Sequence, residues 1–324
     1  MSKMTNVTRT KLLKRLSDGQ FHSGETLGVE FGISRASISK HVKALSELGL
    51  DIFSVTGKGY KLAKPLSLLG HQQIAQRLSE LNVEHVEVLN IIDSTNNYMK
   101  QKVRPIPNGY VCLAEAQTAG RGRLGRTWVS PYGASIYLSM FWSFKGGYQA
   151  ISGLSLAVGM AVVQALQTLE IKGAKLKWPN DIYLQGKKLA GILVEAEGQL
   201  GAACDTVIGI GLNINLPESK VDIDQAWIDL NQATDNQFDR NELSATIINK
   251  LFGVLTVFEK HGLQPFIEKW QQLDYFHEKE VKLLIGDKQI KGIVKGINQE
   301  GALMLQQGGK ITAYHGGEIS VRPA

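Results

Sequence analysis

The chain has 324 residues, 43 % of them apolar and 20 % charged, the balance of an ordinary soluble protein with room for two or three domains that bury cores without staples. Its two cysteines, Cys112 and Cys204, exclude a disulfide scaffold and a four-thiolate zinc site and fit a reducing cytoplasm. Residues 1–64 hold 11 Lys/Arg against 5 Asp/Glu, the whole of the +6 net charge, whereas 65–324 hold 25 of each sign; this asymmetry fits either a nucleic-acid-binding segment on a neutral body or a solvated basic surface.

In chain order, residues 1–16 contain no apolar run long enough for a secretory signal. Over 7–16 a helix is expected, with Val7, Leu12, Leu13 and Leu16 on one inward face. A turn at 21–24 leads to a short helix over 25–31 that Gly32 breaks. Ser34 then caps a helix running to about Leu48, with Ile38, Val42, Leu45 and Leu48 recurring on its inner face. Arg35, Ser37, Ser39, Lys40 and Lys43 fall on other faces. Short donors near the start and cations further along suit a recognition helix in a major groove. Residues 53–62 alternate around Gly57-Lys58-Gly59, which predicts a hairpin whose tip carries Lys58 toward phosphate. Helix, helix–turn–helix and hairpin make a winged helix over 1–64. A three-helix protein-interaction module is the alternative, and the basic charge and the wing favour DNA.

Beyond Pro65, strands and helices alternate. Helix is expected over 71–81 and strand over 86–92, ending at Asp93-Ser94-Thr95-Asn96, where Ser94 or Thr95 taken alone is equally a helix cap. A strand over 109–116 leads into Gln117 and the segment 120–126. Residues 146–169 carry no charge, but Gln149, Ser152, Ser155, Gln164 and Gln167 interrupt the run, which predicts a buried helix and no membrane span.

The GRGRLG of 120–125 matches G-x-G-x-x-G in form only. No helix opens after it, and Met140, not a carboxylate, stands about 20 residues on, so it is not a dinucleotide fingerprint. Arg121, Arg123 and Arg126 interleaved with glycines instead form a cationic strap able to close over phosphate or carboxylate; an RGG-like nucleic-acid patch or a plain solvated loop has the same composition. The KWPND of 177–181 precedes a strand over 182–184, and Gln185-Gly186 turns the chain into a returning strand over 187–195. A period of two puts Lys188 on the face of Ala190, Ile192 and Val194, where it either meets an anion or points to water from an edge. Asp181 is either a turn residue or a partner oriented toward chemistry. A buried strand over 207–215 carries Gly209 and Gly211, which permit close approach or a bulge.

Taken together, DSTN (93–96), Gln117 with GRGRLGR (120–126), KWPND (177–181), KKLAGILVE (187–195) and GIGLNIN (209–215) resemble the biotin–protein ligases, and the winged helix resembles the bifunctional bacterial form that is also the biotin operon repressor. The resemblance covers nearly the whole chain. It implies a multidomain α/β protein: a winged helix-turn-helix over 1–64, a mixed α/β catalytic domain like class II aminoacyl-tRNA synthetases over 65–272, and a C-terminal SH3-like β-barrel over 273–324. The tail agrees independently, with short strands over 280–285, 289–294 and 302–305.

What the resemblance implies about function is a biotin–acetyl-CoA-carboxylase ligase. Biotin reacts with ATP to give biotinyl-5'-AMP and pyrophosphate, and a lysine of the biotin carboxyl carrier protein then takes the biotin. Carried over residue by residue, Ser94, Thr95, Asn96, Gln117, Arg121, Gly122, Arg123 and Lys188 line the biotin and adenylate site. Lys188, Arg121 and Arg123 lower the barrier between carboxylate and α-phosphate, and Asp181 orients Lys188 or the acceptor amine. Arg126, Trp128, Gly191, Asn213, Trp227 and Arg322 complete the set of expected ligand contacts, with core packing the alternative for Trp128 and Trp227. Magnesium (Mg2+) is expected on the phosphates and not in a protein cage. With biotinyl-5'-AMP as corepressor the implied form is a homodimer on the operator DNA of the biotin operon, bound through Ser34, Arg35, Ser37, Ser39, Lys40, Lys43 and Lys58. Two rivals stand beside this: a lipoate-type ligase, and a transcription regulator with an inactive ligase-like sensor domain.

Overall fold

The structure is a computed structural model that describes residues 3–102, 106–198, 202–217, 223–317 and 319–324. Its N-terminal unit is built from α1 (Lys3–Leu16), α2 (Gly24–Phe31) and α3 (Arg35–Glu47), followed by the antiparallel hairpin β1 (Ile52–Val55) and β2 (Gly59–Leu62). Ser23 and Ser34 cap α2 and α3 by accepting from the Thr26 and Ser37 amides at 3.0 and 3.2 Å, and Gly32 ends α2 in the left-handed region. Ile38, Val42 and Leu45 pack on Leu12, Leu13, Leu16 and Leu27. Val7 departs from expectation: it is exposed, because about 100° per residue sets it more than 100° around the axis from each of the three leucines.

The central unit is a seven-stranded sheet in the order β3-β4-β5-β9-β8-β7-β6. Its elements are α4 (His71–Ala75), β3 (Val86–Ile92), α5 (Thr95–Gln101), β4 (Val111–Gln117), β5 (Ser135–Phe144), α6 (Leu154–Thr168), β6 (Lys175–Lys177), β7 (Asp181–Leu184), β8 (Lys187–Gly198), β9 (Cys204–Asn213), α7 (Leu230–Thr234), α8 (Arg240–His261) and α9 (Ile267–Leu273). β3 and β4 run parallel and the other neighbours antiparallel. Two elements absent from the sequence reading matter most here. β5 lies inside the sheet between β4 and β9 and sends Ile136, Leu138, Met140 and Trp142 into the main core. α8 packs with α6 over that face, and α5 covers the opposite one. The stretch Gly147–Thr168 is long and apolar enough to cross a bilayer by length and composition; here its α6 part, Leu154–Thr168, is a core helix, with Leu156, Val158, Met160 and Val162 buried.

α4 is shorter than the helix expected over 71–81. The amide of Asn249 on α8 donates to Arg77 O at 2.9 Å and accepts from the Ser79 amide at 3.0 Å, so the chain is drawn onto α8 instead of continuing to coil.

Five antiparallel strands close the chain: β10 (Glu280–Ile285), β11 (Lys288–Ile297), β12 (Leu303–Gln307), β13 (Lys310–Tyr314) and β14 (Ile319–Pro323), ordered β13-β12-β11-β10-β14. Val281, Leu283, Leu305 and Val321 share one core with the central helices, and Trp178 donates its indole N–H to Gly301 O at 3.0 Å. At the other end, Tyr132 is buried in the N-terminal core and donates to Asn90, which donates in turn to Thr10 on α1 at 2.9 Å.

Candidate active site

The face of the sheet turned away from α6 is paved with glycine. Register places Ser139 beside Gly209 and Gly209 beside Leu193; the next row runs Tyr137, Gly211, Gly191, Asp181. A side chain at Gly209 would strike the Asn96 carboxamide, one at Gly211 the Trp128 indole, and one at Gly191 would come within 2.8 Å of Trp128. The glycines are therefore where the 94–96 loop and Trp128 lie down on the sheet. Beside them opens a cavity of about 510 Å³, within the range of small-molecule sites.

Lys188 reaches this cavity through a bulge. Ile182 pairs with Ala190, but Tyr183 pairs with Lys188, so Leu189 is an extra residue. Leu189 and Ala190 both enter the core, and Lys188 emerges on the face of Gly191, not on that of Ala190, Ile192 and Val194 as strict alternation predicts. The chain beside Trp227 fixes the bulge: the Lys188 amide donates to Ala226 O at 3.1 Å and its carbonyl accepts from the Ile228 amide at 3.0 Å. Lys188 Nζ lies 2.8 Å from Asp181 Oδ1 and 5.4 Å above the Trp128 ring.

At one end of the cavity the 94–96 loop opens α5. Gln117 Oε1 accepts from the Thr95 amide at 2.9 Å, and its Nε2 donates to Ser130 Oγ at 2.9 Å. Ser139 Oγ donates to Asn96 Oδ1 at 2.6 Å and lies 2.8 Å from Thr95 Oγ1. Asn96 Nδ2 donates to Glu195 Oε2 at 2.9 Å. Ser94, Thr95 and Asn96 are buried. The result is a nearly dry group of paired donors and acceptors, suited to a small neutral polar ring.

The strap crosses the mouth. Gly122 donates to Arg126 O at 2.7 Å, and Leu124 takes a left-handed φ of 56° at the tip of a turn over Arg123–Gly125. Arg121 pairs with Glu195 at 2.6 Å. Arg123 donates to Asn180 Oδ1 at 2.9 Å and also to Gly317 O in the C-terminal unit. Burial alone would raise the Glu195 carboxyl; the hydrogen bonds from Asn96 and Arg121 hold it below its ordinary range instead.

Arg126, Arg322 on β14, Trp227 and Asn213 line the same cavity, so every ligand-contact residue expected from the sequence, and Asp181, is brought to one place. Asn213 donates to Ile228 O at 3.2 Å, steadying the segment that carries Trp227. Among the residues not assigned from the sequence are Lys177 and Asn180 on the cavity wall, and Ser139 and Glu195, which bind Asn96. Asn180 and Lys177 sit inside a motif already singled out, whereas a serine on a central strand gives no signal. Among the described residues no three His, Cys, Asp or Glu side chains cluster as a metal site.

On the N-terminal unit, Arg35, Ser39, Lys40 and Lys43 are exposed along α3 and Lys58 at the wing tip. Ser34 and Ser37 are engaged with each other, their hydroxyls 3.0 Å apart. Lys58 Nζ stands 5.9 Å over the Phe21 ring.

Comparison with known proteins bears on all three units. The model of the biotin/lipoate A/B protein ligase family matches residues 88–213, an HTH domain model matches 8–61, and a biotin protein ligase C terminal domain model matches 276–322. The chain is 47 % identical over 320 residues to the bifunctional ligase/repressor BirA of Escherichia coli, covering 98 % of each chain. It is 28 % identical over 334 residues to that of Bacillus subtilis, covering 98 % of this chain and all of that one. Among solved structures, the biotin protein ligase from Aquifex aeolicus in complex with biotin and ATP is similar with a TM-score of 0.65 and 29 % identity, covering 74 % of this chain and 99 % of that one. The winged helix, mixed-sheet centre and antiparallel C-terminal unit are thus the fold expected from the sequence. With full-length identity at this level, the chain belongs to the family of bifunctional ligase/repressors BirA.

Proposed function

We propose that this one cavity carries both half-reactions of biotin transfer with the residues assigned from the sequence. As a family member the chain is a biotin–protein ligase and a DNA-binding repressor, with biotin and ATP as substrates. In the first half-reaction a biotin carboxylate oxygen attacks the α-phosphorus, the bond to the β-phosphate oxygen breaks and pyrophosphate leaves. In the second, the amine of the acceptor lysine attacks the acyl carbon, loses its proton, and AMP leaves with the bonding pair. Ser94, Thr95, Asn96 and Gln117 hold the ureido ring by their paired donors and acceptors. Lys188, Arg121 and Arg123 screen the carboxylate from the α-phosphate as they meet, each such contact being worth roughly 3–4 kcal/mol. Asp181 holds Lys188, while Trp128 and Trp227 enclose the ligand, with Arg126, Gly122, Gly191, Asn213 and Arg322 completing the wall. Magnesium would be held by the ATP phosphates, whose charge it would neutralise.

The acceptor is the biotin carboxyl carrier protein of acetyl-CoA carboxylase, and the repressed target is the operator of the biotin operon, read by α3 and the wing. β8 runs past the end of β7, so residues 193–198 have β9 on one side and no described strand on the other. Arg121 pairs with Glu195 on this edge. Closure of the strap over the adenylate then prepares the edge either for a second copy or for the carrier protein, which makes the intermediate a corepressor through homodimerisation. The two cysteines are free and buried, which suits the cytoplasm. Boundaries at 64 and 272 divide the three units.

The observation that carries this reading is the convergence of Lys188 and the strap arginines on one cavity with the 94–96 loop. Biotin-dependent ATP–pyrophosphate exchange tests it; exchange that ignores biotin, or that prefers lipoate, would refute it.

A further inference from the structure

We infer that Lys177 is a pyrophosphate-binding residue, part of a leaving-group subsite set apart from the α-phosphate contacts of Lys188, Arg121 and Arg123. The inference rests on the ligase reading above and deepens it.

Lys177 ends β6 with only 6 % of its surface exposed, and it lines the cavity. Its Nζ donates to the Tyr183 hydroxyl at 2.9 Å and stands 4.7 Å over the Tyr183 ring. Asp181 Oδ2 is 3.9 Å away, too far for a hydrogen bond, and the other oxygen of that carboxylate faces Lys188 at 2.8 Å. Among the described residues, Lys177 therefore has no carboxylate of its own. The charged and titratable groups among them that face it are Asp181 and Tyr183 from β7, Lys188 from β8, Arg126 from the strap and Arg322 from β14. Burial, and then the repulsion of Arg322, Lys188 and Arg126 against the pull of Asp181, bring its ammonium down to about 8.

A buried cation placed among cations is costly until an anion arrives. The charge count says which anion. An acyl adenylate carries a single charge on its phosphate; with Lys188 paired to Asp181 and Arg121 to Glu195, the charge of Arg123 already matches it. Arg126, Lys177 and Arg322 are surplus to it, and a multiply charged pyrophosphate accounts for the surplus. Chemically, the bond from the α-phosphorus to its leaving oxygen breaks with both electrons going to that oxygen. A protonated Lys177 meets the negative charge there without transferring its proton.

This geometry makes binding of pyrophosphate complete the protonation of Lys177. Titrating inorganic pyrophosphate into the full-length chain at pH 8, in two buffers of different ionisation enthalpy, counts the protons exchanged on binding. The ligand's own ionisation contributes alike to the wild-type chain and to Lys177→Arg, whose guanidinium is always charged, so the wild-type chain should take up about half a proton per site more than Lys177→Arg. Equal proton exchange in the two overturns the inference. Lys177→Gln should raise both the KM for ATP and the inhibition constant of pyrophosphate about tenfold or more. Transfer from preformed biotinyl-5'-AMP should keep its rate, and Lys177→Arg should restore most of the ATP affinity. Unchanged ATP affinity in Lys177→Gln, or equal slowing of both half-reactions, overturns it as well. Should Lys177→Gln not fold, the comparison of the wild-type chain with Lys177→Arg still decides. Failure of the wild-type chain to exchange pyrophosphate in response to biotin would sink the ligase reading alone, since the proton count is read without biotin.

Discussion

Lys188 and Asp181 meet at 2.8 Å across the β7–β8 hairpin although they are not register partners: Asp181 pairs with Gly191 and Lys188 with Tyr183. The bulge at Leu189 brings them together, so the contact is a product of backbone geometry and not of strand alternation. Replacing Lys188 by Ala should leave folding intact and cut biotin-dependent adenylate formation about a hundredfold or more. Pyrophosphate release in a single turnover is the measurement. Asp181→Asn should slow transfer from preformed adenylate, because the orienting carboxylate is gone.

Gly211 carries the Trp128 indole on its α-carbon. Gly211→Ala should displace the ring and cost about 1–3 kcal/mol of stability as overpacking. Biotin or ATP affinity should fall with it. Wild-type affinity by calorimetry would show that Trp128 does not need to lie flat on the sheet.

Arg240 and Glu115 form a buried ion pair at the root of α8, with Arg240 also donating to Ser67 O at 3.0 Å and Ser135 O at 2.7 Å. Glu115 accepts from the Leu69 amide at 2.6 Å, so the pair clamps the segment that follows the winged helix. Arg240→Met should destabilise by about 3–5 kcal/mol, since it strands a buried carboxylate. Adding Glu115→Gln should recover much of that loss while keeping an acceptor for Leu69. Urea unfolding of the single and double variants checks both signs.

Asp274 is buried between α9 and β10. Its Oδ1 accepts from the Phe276 amide at 3.0 Å and its Oδ2 has no hydrogen-bond partner among the described residues. Burial, opposed by that amide, raises its carboxyl to about 6. The folded state thus holds the proton more tightly than the unfolded chain, whose value lies near 3.8. The stability this contributes is complete below about pH 4 and is lost as pH rises through 6. Asp274→Asn should therefore be more stable than wild type near pH 7.5, by about 2–3 kcal/mol, with the difference closing below pH 4. Thermal melts across that range test the slope.

Much of the site was legible because glycine and arginine at fixed spacing leave few chemical options, and because the 94–96 loop, the strap and Lys188 lie in contiguous motifs. The winged helix was legible from caps and periodicity, Ser34 and Gly32 among them. What escaped depended on partners distant in sequence. The face of Lys188 is set by the 226–228 segment, the end of α4 by Asn249, and the strap's anchor by Glu195, which in sequence is merely the last residue of a strand motif. β5 and α8 were not anticipated, although β5 is the strand against which the glycines of β9 are registered.

Arg123 reaching Gly317, Trp178 reaching Gly301, and one core running beneath both units have a consequence for dissecting the protein. A nick between α9 and β10 would not liberate a self-sufficient enzyme. Each fragment would present a raw apolar surface and only a part of the cavity wall, and activity would return only as the two pieces reassociate, with a second-order dependence on their concentrations.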